Sequence, residues 1–139
     1  MNSEADYQAI QQLLARYCHA VDERDWKSFR ALFSTHAVLD YRAFGGPIGG
    51  VDEIATFLEN IVSGLAGSQH TISTMQLDLE ENRARARTAG LVTLVNSAGE
   101  DESRISWVGL WYHDRLVKTP DGWRIAERVQ KYGWMHKPA

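Results

Sequence analysis

Ile10, Leu13, Leu14, Tyr17, Cys18 and Val21 recur at spacings of three and four, so the chain opens with a helix carrying one apolar stripe. Ser3 or Asp6 is placed to cap its start, and the pattern stops near Asp22-Glu23-Arg24. Asp25 then caps a short second helix that turns Trp26, Phe29, Leu32 and Phe33 inward. From Ala37 to Phe44 the pattern becomes that of a strand, with Leu39 and Tyr41 on one face and Val38 and Asp40 on the other. The run Gly45-Gly46-Pro47-Ile48-Gly49-Gly50 breaks that strand into a loop. A third helix runs from about Val51 to Gly64, with Ile54, Phe57, Leu58, Ile61 and Val62 apolar.

The second half reads as strand almost throughout. His70 to Leu79, Ala84 to Val95, Arg104 to Lys118 and Trp123 to Tyr132 are separated by turns at Glu80-Glu81-Asn82, Asn96 to Glu102 and Thr119-Pro120-Asp121-Gly122. Helices first and a meander of strands after describe an α+β domain. The expected architecture is a cone-shaped, curved antiparallel sheet with three helices in the N-terminal half, enclosing a cavity between the two layers. No linker, repeat or low-complexity stretch divides the sequence, so residues 1–139 are expected to form one domain.

Composition narrows the function classes. Hydrophobic residues make up 44% of the chain, enough for a full core without staples, and the single cysteine, Cys18, precludes an intrachain disulfide. The formal net charge of -3 argues against a nucleic-acid partner, which needs a basic face. The segment from Met1 to Asp6 lacks the features of a signal peptide and no run suits a membrane span, so a cytoplasmic protein without a membrane partner is expected. The glycine run is not a phosphate loop, because no Gly-Lys-Ser/Thr follows. No His-Glu-x-x-His, paired cysteines or His-x-His suggests a metal, and no Gly-x-Ser-x-Gly elbow suggests a serine hydrolase.

Four residues remain as candidates for chemistry. Asp22 closes the first helix, where a carboxylate meets the negative end of the helix dipole and needs another source of stabilisation. It reads either as one solvated acid of the Asp-Glu-Arg-Asp run or as the partner of a buried donor. His70 opens a strand and reads either as a satisfied strand-end histidine or as a proton-moving group oriented by Asp22. Tyr17 and Tyr41 lie on apolar faces; a buried phenol packs as an aromatic or donates to a substrate carbonyl where enolate charge develops. Five tryptophans are many for this length. Trp107 and Trp111 alternate with Ile105, Gly109 and His113, so one strand face is aromatic, suited either to lining a pocket or to burying an interface between copies.

Several segments carry a family resemblance over almost the whole chain. Arg16-Tyr17-Cys18-His19-Ala20-Val21-Asp22-Glu23-Arg24-Asp25-Trp26, the glycine loop into Val51-Asp52-Glu53-Ile54, Gln69-His70, Asp114-Arg115 and Asp121-Gly122-Trp123-Arg124-Ile125 resemble, in order and spacing, the SnoaL-like branch of the nuclear-transport-factor-2-like (NTF2-like) superfamily. Asp40-Tyr41-Arg42-Ala43-Phe44 is similar to the strand that carries the catalytic tyrosine of scytalone dehydratases, and Tyr17, Asp22, Tyr41 and His70 fall where bile-acid 7α-dehydratases are expected to keep theirs. There are departures. No histidine lies on the strand from Ala84 to Val95, Trp111 and His113 stand where the scytalone enzymes have Ser and Asn, and Val21 precedes Asp22 where they have tyrosine.

The resemblance implies a cofactor-independent, dehydratase-like lyase acting on a small cyclic hydroxy-carbonyl compound. His70 with Asp22 would move the proton, and Tyr41 with Tyr17 would stabilise enolate charge. Phe44, Val21, Phe57, Leu91, Trp107 and Trp111 are the expected apolar contacts of a ring-containing substrate. A ketosteroid-isomerase-like isomerase, a polyketide cyclase and a non-catalytic ligand-binding module remain as alternatives. Relatives are dimers or trimers, so a homodimer or homotrimer is expected. The segment Tyr132 to His136 is short, so any lid over the pocket is expected to be small.

Overall fold

The computed structural model describes residues 3–97 and 103–138, so most of the turn expected from Asn96 to Glu102 lies outside the described residues. Helix α1 spans Ser3–Asp22 and buries Ile10, Leu13, Leu14, Tyr17, Cys18 and Val21, the stripe expected from spacing. Fully burying a large apolar side chain is worth about 1.5–3 kcal/mol, so this one face supplies much of the helix's attachment. Asp25 caps α2 (Trp26–Arg30) by accepting from the Ser28 backbone N–H at 3.1 Å. Strand β1 covers Phe33–Asp40. It starts earlier than the apolar pattern indicated and stops before Tyr41, because residues 42–44 form a 3₁₀ turn that closes on Gly45 in the left-handed region (φ 82°). The glycine run then holds a two-residue strand β2 (Ile48–Gly49) that composition concealed, and α3 follows at Val51–Ser63.

The remaining chain is a long meander of β3 (Gly67–Leu79), β4 (Arg83–Ser97), β5 (Ser103–Thr119) and β6 (Gly122–His136). The six strands form one curved, unclosed sheet in the order β2-β1-β6-β5-β4-β3. Most pairs are antiparallel, as expected, but β1 runs parallel to β6, which needs the long crossover that the intervening elements supply. The core fills the concave side: Ala84, Ala86 and Val92 from β4, Val108, Leu110, Tyr112 and Leu116 from β5, and Trp123 and Ile125 from β6 meet α1 and α3 there. β6 runs to His136, four residues past the expected end, so Tyr132 to His136 continue the sheet and do not hang over it as a lid.

Two irregularities decide which side chains face the core. Pairing between β5 and β6 slips between Arg115 and Leu116, so Ala126 is accommodated as an extra residue and Arg128 turns inward opposite Asp114. A second slip between Gly109 and Leu110 lets Met135 face inward opposite Val108. Buried Asp6 ties α1 to the sheet by accepting from Trp123 Nε1 and Lys118 Nζ, both at 3.0 Å.

Candidate functional site

The end of α1 fixes one side of the site. Arg24 takes a left-handed conformation (φ 59°) and reverses the chain, and its guanidinium donates to the Val62 and Leu65 carbonyls at 2.8 and 2.9 Å. That clasp holds the last turn of α1 against the end of α3, with Asp22 facing the edge strand β3. There Asp22 accepts from three donors: the His70 backbone N–H at 2.7 Å, His70 Nδ1 at 2.7 Å and Ser68 Oγ at 2.9 Å. These are the stabilisation that a carboxylate at a helix C-terminus requires. Burial opposes its ionisation, but the bonds and charge of His70, with the Ser68 hydroxyl, outweigh that and hold the carboxyl below its ordinary value. With Nδ1–H given to the carboxylate, Nε2 is the His70 nitrogen left to accept a proton.

Tyr17 stands edge-on to the His70 ring, centroids 6.1 Å apart, and its hydroxyl forms a short hydrogen bond with the Tyr41 hydroxyl. Both phenols are fully buried. Burial raises Tyr17 despite the opposing charge of Arg128, and burial together with the neighbouring Tyr17 raises Tyr41 well above the usual phenol range. Both are therefore protonated donors near neutral pH, unsuited to act as bases. Beneath them lies a group that the sequence pattern did not reveal. The Arg128 guanidinium stacks on Tyr17 at 4.2 Å and on Tyr112 at 3.9 Å, and donates through Nε and Nη2 to Asp114 at 2.7 and 2.9 Å. Arg128 Nη1, the Tyr112 hydroxyl and the Thr88 hydroxyl are buried without a protein partner.

His70, Tyr17 and Tyr41 open onto a mostly apolar cavity of about 200 Å³. Val21, Phe44 and Phe57 line it, together with Leu58, Ile61, Val62, Val92, Leu94, Val108, Leu110 and Met135; Ser68 and Gln130 are its other polar residues. Asp22 stands behind His70 and does not line the cavity itself. A wider groove of about 530 Å³ between α1 and β3 contains no histidine or carboxylate, and Tyr7 is its one titratable lining residue. Among the described residues, no group of three histidine, cysteine, aspartate or glutamate side chains is placed to hold a metal ion.

Three expected contacts lie elsewhere. Trp107, Trp111 and Leu91 are on the convex face of the sheet, 36%, 45% and 36% exposed, and touch no part of the cavity. Ser106, Val108, Leu110, Tyr112 and Asp114 hold the concave face of β5, and alternation sends the tryptophans the other way. The room at Gly109 on that convex face is filled by the Trp134 indole, which a Cβ at Gly109 would penetrate. Sequence reasoning missed Arg128, Ser68, Gln130 and Met135. A signal existed for Ser68, two residues before His70 on the same strand face; Arg128 and Met135 depend on bulges that local pattern does not report.

Comparison with known proteins bears on the family and the fold. A family model described as a SnoaL-like domain matches residues 3–129. The chain is 32% identical over 126 residues to the uncharacterised protein Rv2910c of Mycobacterium tuberculosis, covering 91% of this chain and 84% of that one. Among solved structures it is similar to a proposed scytalone dehydratase from Novosphingobium aromaticivorans (TM-score 0.86, 20% identity, 99% of this chain and 90% of that one). It is also similar to the hexachlorocyclohexane dehydrochlorinase LinA-type3 from Novosphingobium barchaimii (TM-score 0.80, 14% identity, 99% and 92%). At these identities the structural likeness establishes the NTF2-like fold. By the match over residues 3–129, the chain belongs to the SnoaL-like domain family, and its helices and curved sheet have the NTF2-like fold.

Proposed function

We propose that this protein is a cofactor-independent lyase that removes water from a small cyclic hydroxy-carbonyl compound. The observation that carries the reading is the His70–Asp22 pair beside the Tyr17–Tyr41 hydroxyl pair at one apolar cavity. Nε2 of His70 takes a proton from the carbon next to the substrate carbonyl; the C–H electrons move into an enolate whose oxygen accepts from a tyrosine hydroxyl. The enolate then re-forms the carbonyl and expels the β-hydroxyl, which takes the proton from His70 and leaves as water, giving an enone. Asp22 keeps the proton on Nδ1 and stabilises the transient imidazolium. Arg128 lies behind the tyrosines and lends positive charge to their side of the cavity. The dry wall of Val21, Phe57, Leu110 and Val108 strengthens each of these interactions.

The proposal includes a single domain over the whole chain and a homo-oligomer. Support for the latter is the convex face, where Trp107, Trp111, Leu91, Ile105 and Trp134 are all more than a third exposed. No helix among the described residues is long and apolar enough to cross a membrane. The decisive experiment follows enone absorbance with a panel of one- and two-ring β-hydroxy ketones. Turnover should fall by about 10²–10⁴-fold in His70→Ala. Water loss at the buffer rate across the panel, or a His70→Ala variant as active as the wild type, overturns the reading.

A further inference from the structure

We infer that Gln130 is the second recognition point of the cavity, and that it selects an uncharged one- or two-ring compound carrying a hydrogen-bonding substituent on the side remote from His70. The inference rests on the cavity being the substrate site. Several polar groups there already have partners. The Ser68 hydroxyl and His70 Nδ1 are given to Asp22, and Tyr17 and Tyr41 are bonded to each other. Gln130 lines the same cavity, and its carboxamide has no partner among the described residues. That amide is not sealed in the core as Arg128 Nη1 and the Tyr112 hydroxyl are, so a ligand that displaces solvent from it must return a hydrogen bond in exchange.

Register fixes where that amide stands. Gln130 pairs with buried Tyr112 across the β5–β6 ladder and so faces inward, and it lines the cavity together with Tyr41, which follows the last β1 residue paired with β6. His70 is on β3, three strands from β6 in the sheet order, a separation of about 14 Å along the sheet and less across its concave side. The polar groups therefore run from His70 through Tyr17 and Tyr41 to Gln130. A ligand whose reacting carbon sits at His70 extends past the tyrosines toward the amide.

Volume and charge define the ligand further. At the packing density of protein interiors, ~0.74, a cavity of about 200 Å³ encloses on the order of ten heavy atoms, which is one or two rings. A carboxamide both donates and accepts, so it suits a hydroxyl or carbonyl group and gives no preference for an ion. Apart from His70 and the neutral phenols of Tyr17 and Tyr41, no ionisable side chain lines the wall.

The test uses 1-tetralone and its 5-, 6- and 7-hydroxy derivatives as probes. Their dissociation constants are measured by calorimetry for the wild type, Gln130→Met and Gln130→Leu, and amide shifts at Ser68 and His70 report whether each probe occupies the cavity. At least one hydroxy isomer should bind the wild type about tenfold more tightly than 1-tetralone, and both variants should lose that preference while keeping 1-tetralone affinity. Met and Leu are apolar replacements of similar bulk, and two variants guard against one that fails to fold. Occupancy with no hydroxyl preference, or a preference that survives in both variants, overturns the role of Gln130 and leaves the lyase reading standing. Hydroxyl selection by Gln130 without turnover of any β-hydroxy ketone has the opposite meaning. If no probe shifts Ser68 or His70 at millimolar concentration, the assigned ligand class is wrong.

Discussion

Asp114→Ala should destabilise the protein more than its distance from solvent and from the cavity suggests. The carboxylate accepts two hydrogen bonds from Arg128, and the two side chains are 0% and 1% exposed. Arg128 Nη1 already has no partner, so the substitution would leave a guanidinium in the core with aromatic faces but no anion. Removing one member of such a pair costs about 3–5 kcal/mol, because the remaining charge stays desolvated. For 139 residues the unfolding entropy is roughly 0.3 kcal/mol/K, so the midpoint should drop by about 10–17 °C. Urea unfolding and calorimetry would measure both quantities. The companion variant Asp114→Leu with Arg128→Met removes both charges and fills the space with apolar atoms, so it should recover at least half of the loss. A single-variant loss below about 1 kcal/mol, or a double variant no more stable than Asp114→Ala, would refute the argument that an unpaired charge sets the cost.

Two further expectations use the same structure. The Asp22 carboxyl titrates below its ordinary value of 3.8 in the folded protein, so its contribution to stability is whole above that pH and is lost as pH falls through the folded value. Stability should therefore drop between pH 6 and pH 3 by more in the wild type than in Asp22→Asn, as read by urea midpoints; equal drops would remove Asp22 from the account. On the convex face, charged residues at Trp107 and Trp111 (Trp107→Glu, Trp111→Lys) should reduce the sedimenting mass to that of one 15.7 kDa chain without changing the circular dichroism spectrum. A wild type that already sediments as a single chain would dispose of the oligomer.

Sequence pattern determined the parts of this protein that depend on local spacing. The stripe on α1 places Ile10, Leu14, Tyr17 and Val21 on one face whatever they pack against, because 3.6 residues make a turn. The Asp25 cap, the turn before Gly122 and the succession of long strands are likewise local and were legible. The pairing of Asp22 with His70 was foreseen through family resemblance together with an electrostatic puzzle, a carboxylate at the wrong end of a helix. Its three hydrogen bonds span 46 to 48 residues, which no spacing rule reaches.

Tertiary structure alone decided which face of each strand looks inward. Alternation gives two faces without saying which is buried, and on β5 both carry large apolar side chains, so Trp107 and Trp111 were as plausible inside as Val108 and Leu110. The concave layer was chosen by the helices, which cover only one side of the sheet. Arg128 and Met135 turn inward because β6 carries extra residues that shift its register against β5, and a one-residue slip exchanges faces for everything beyond it. The polar floor of the cavity is set by those long-range pairings, while the helices and strands that frame it are written in local pattern.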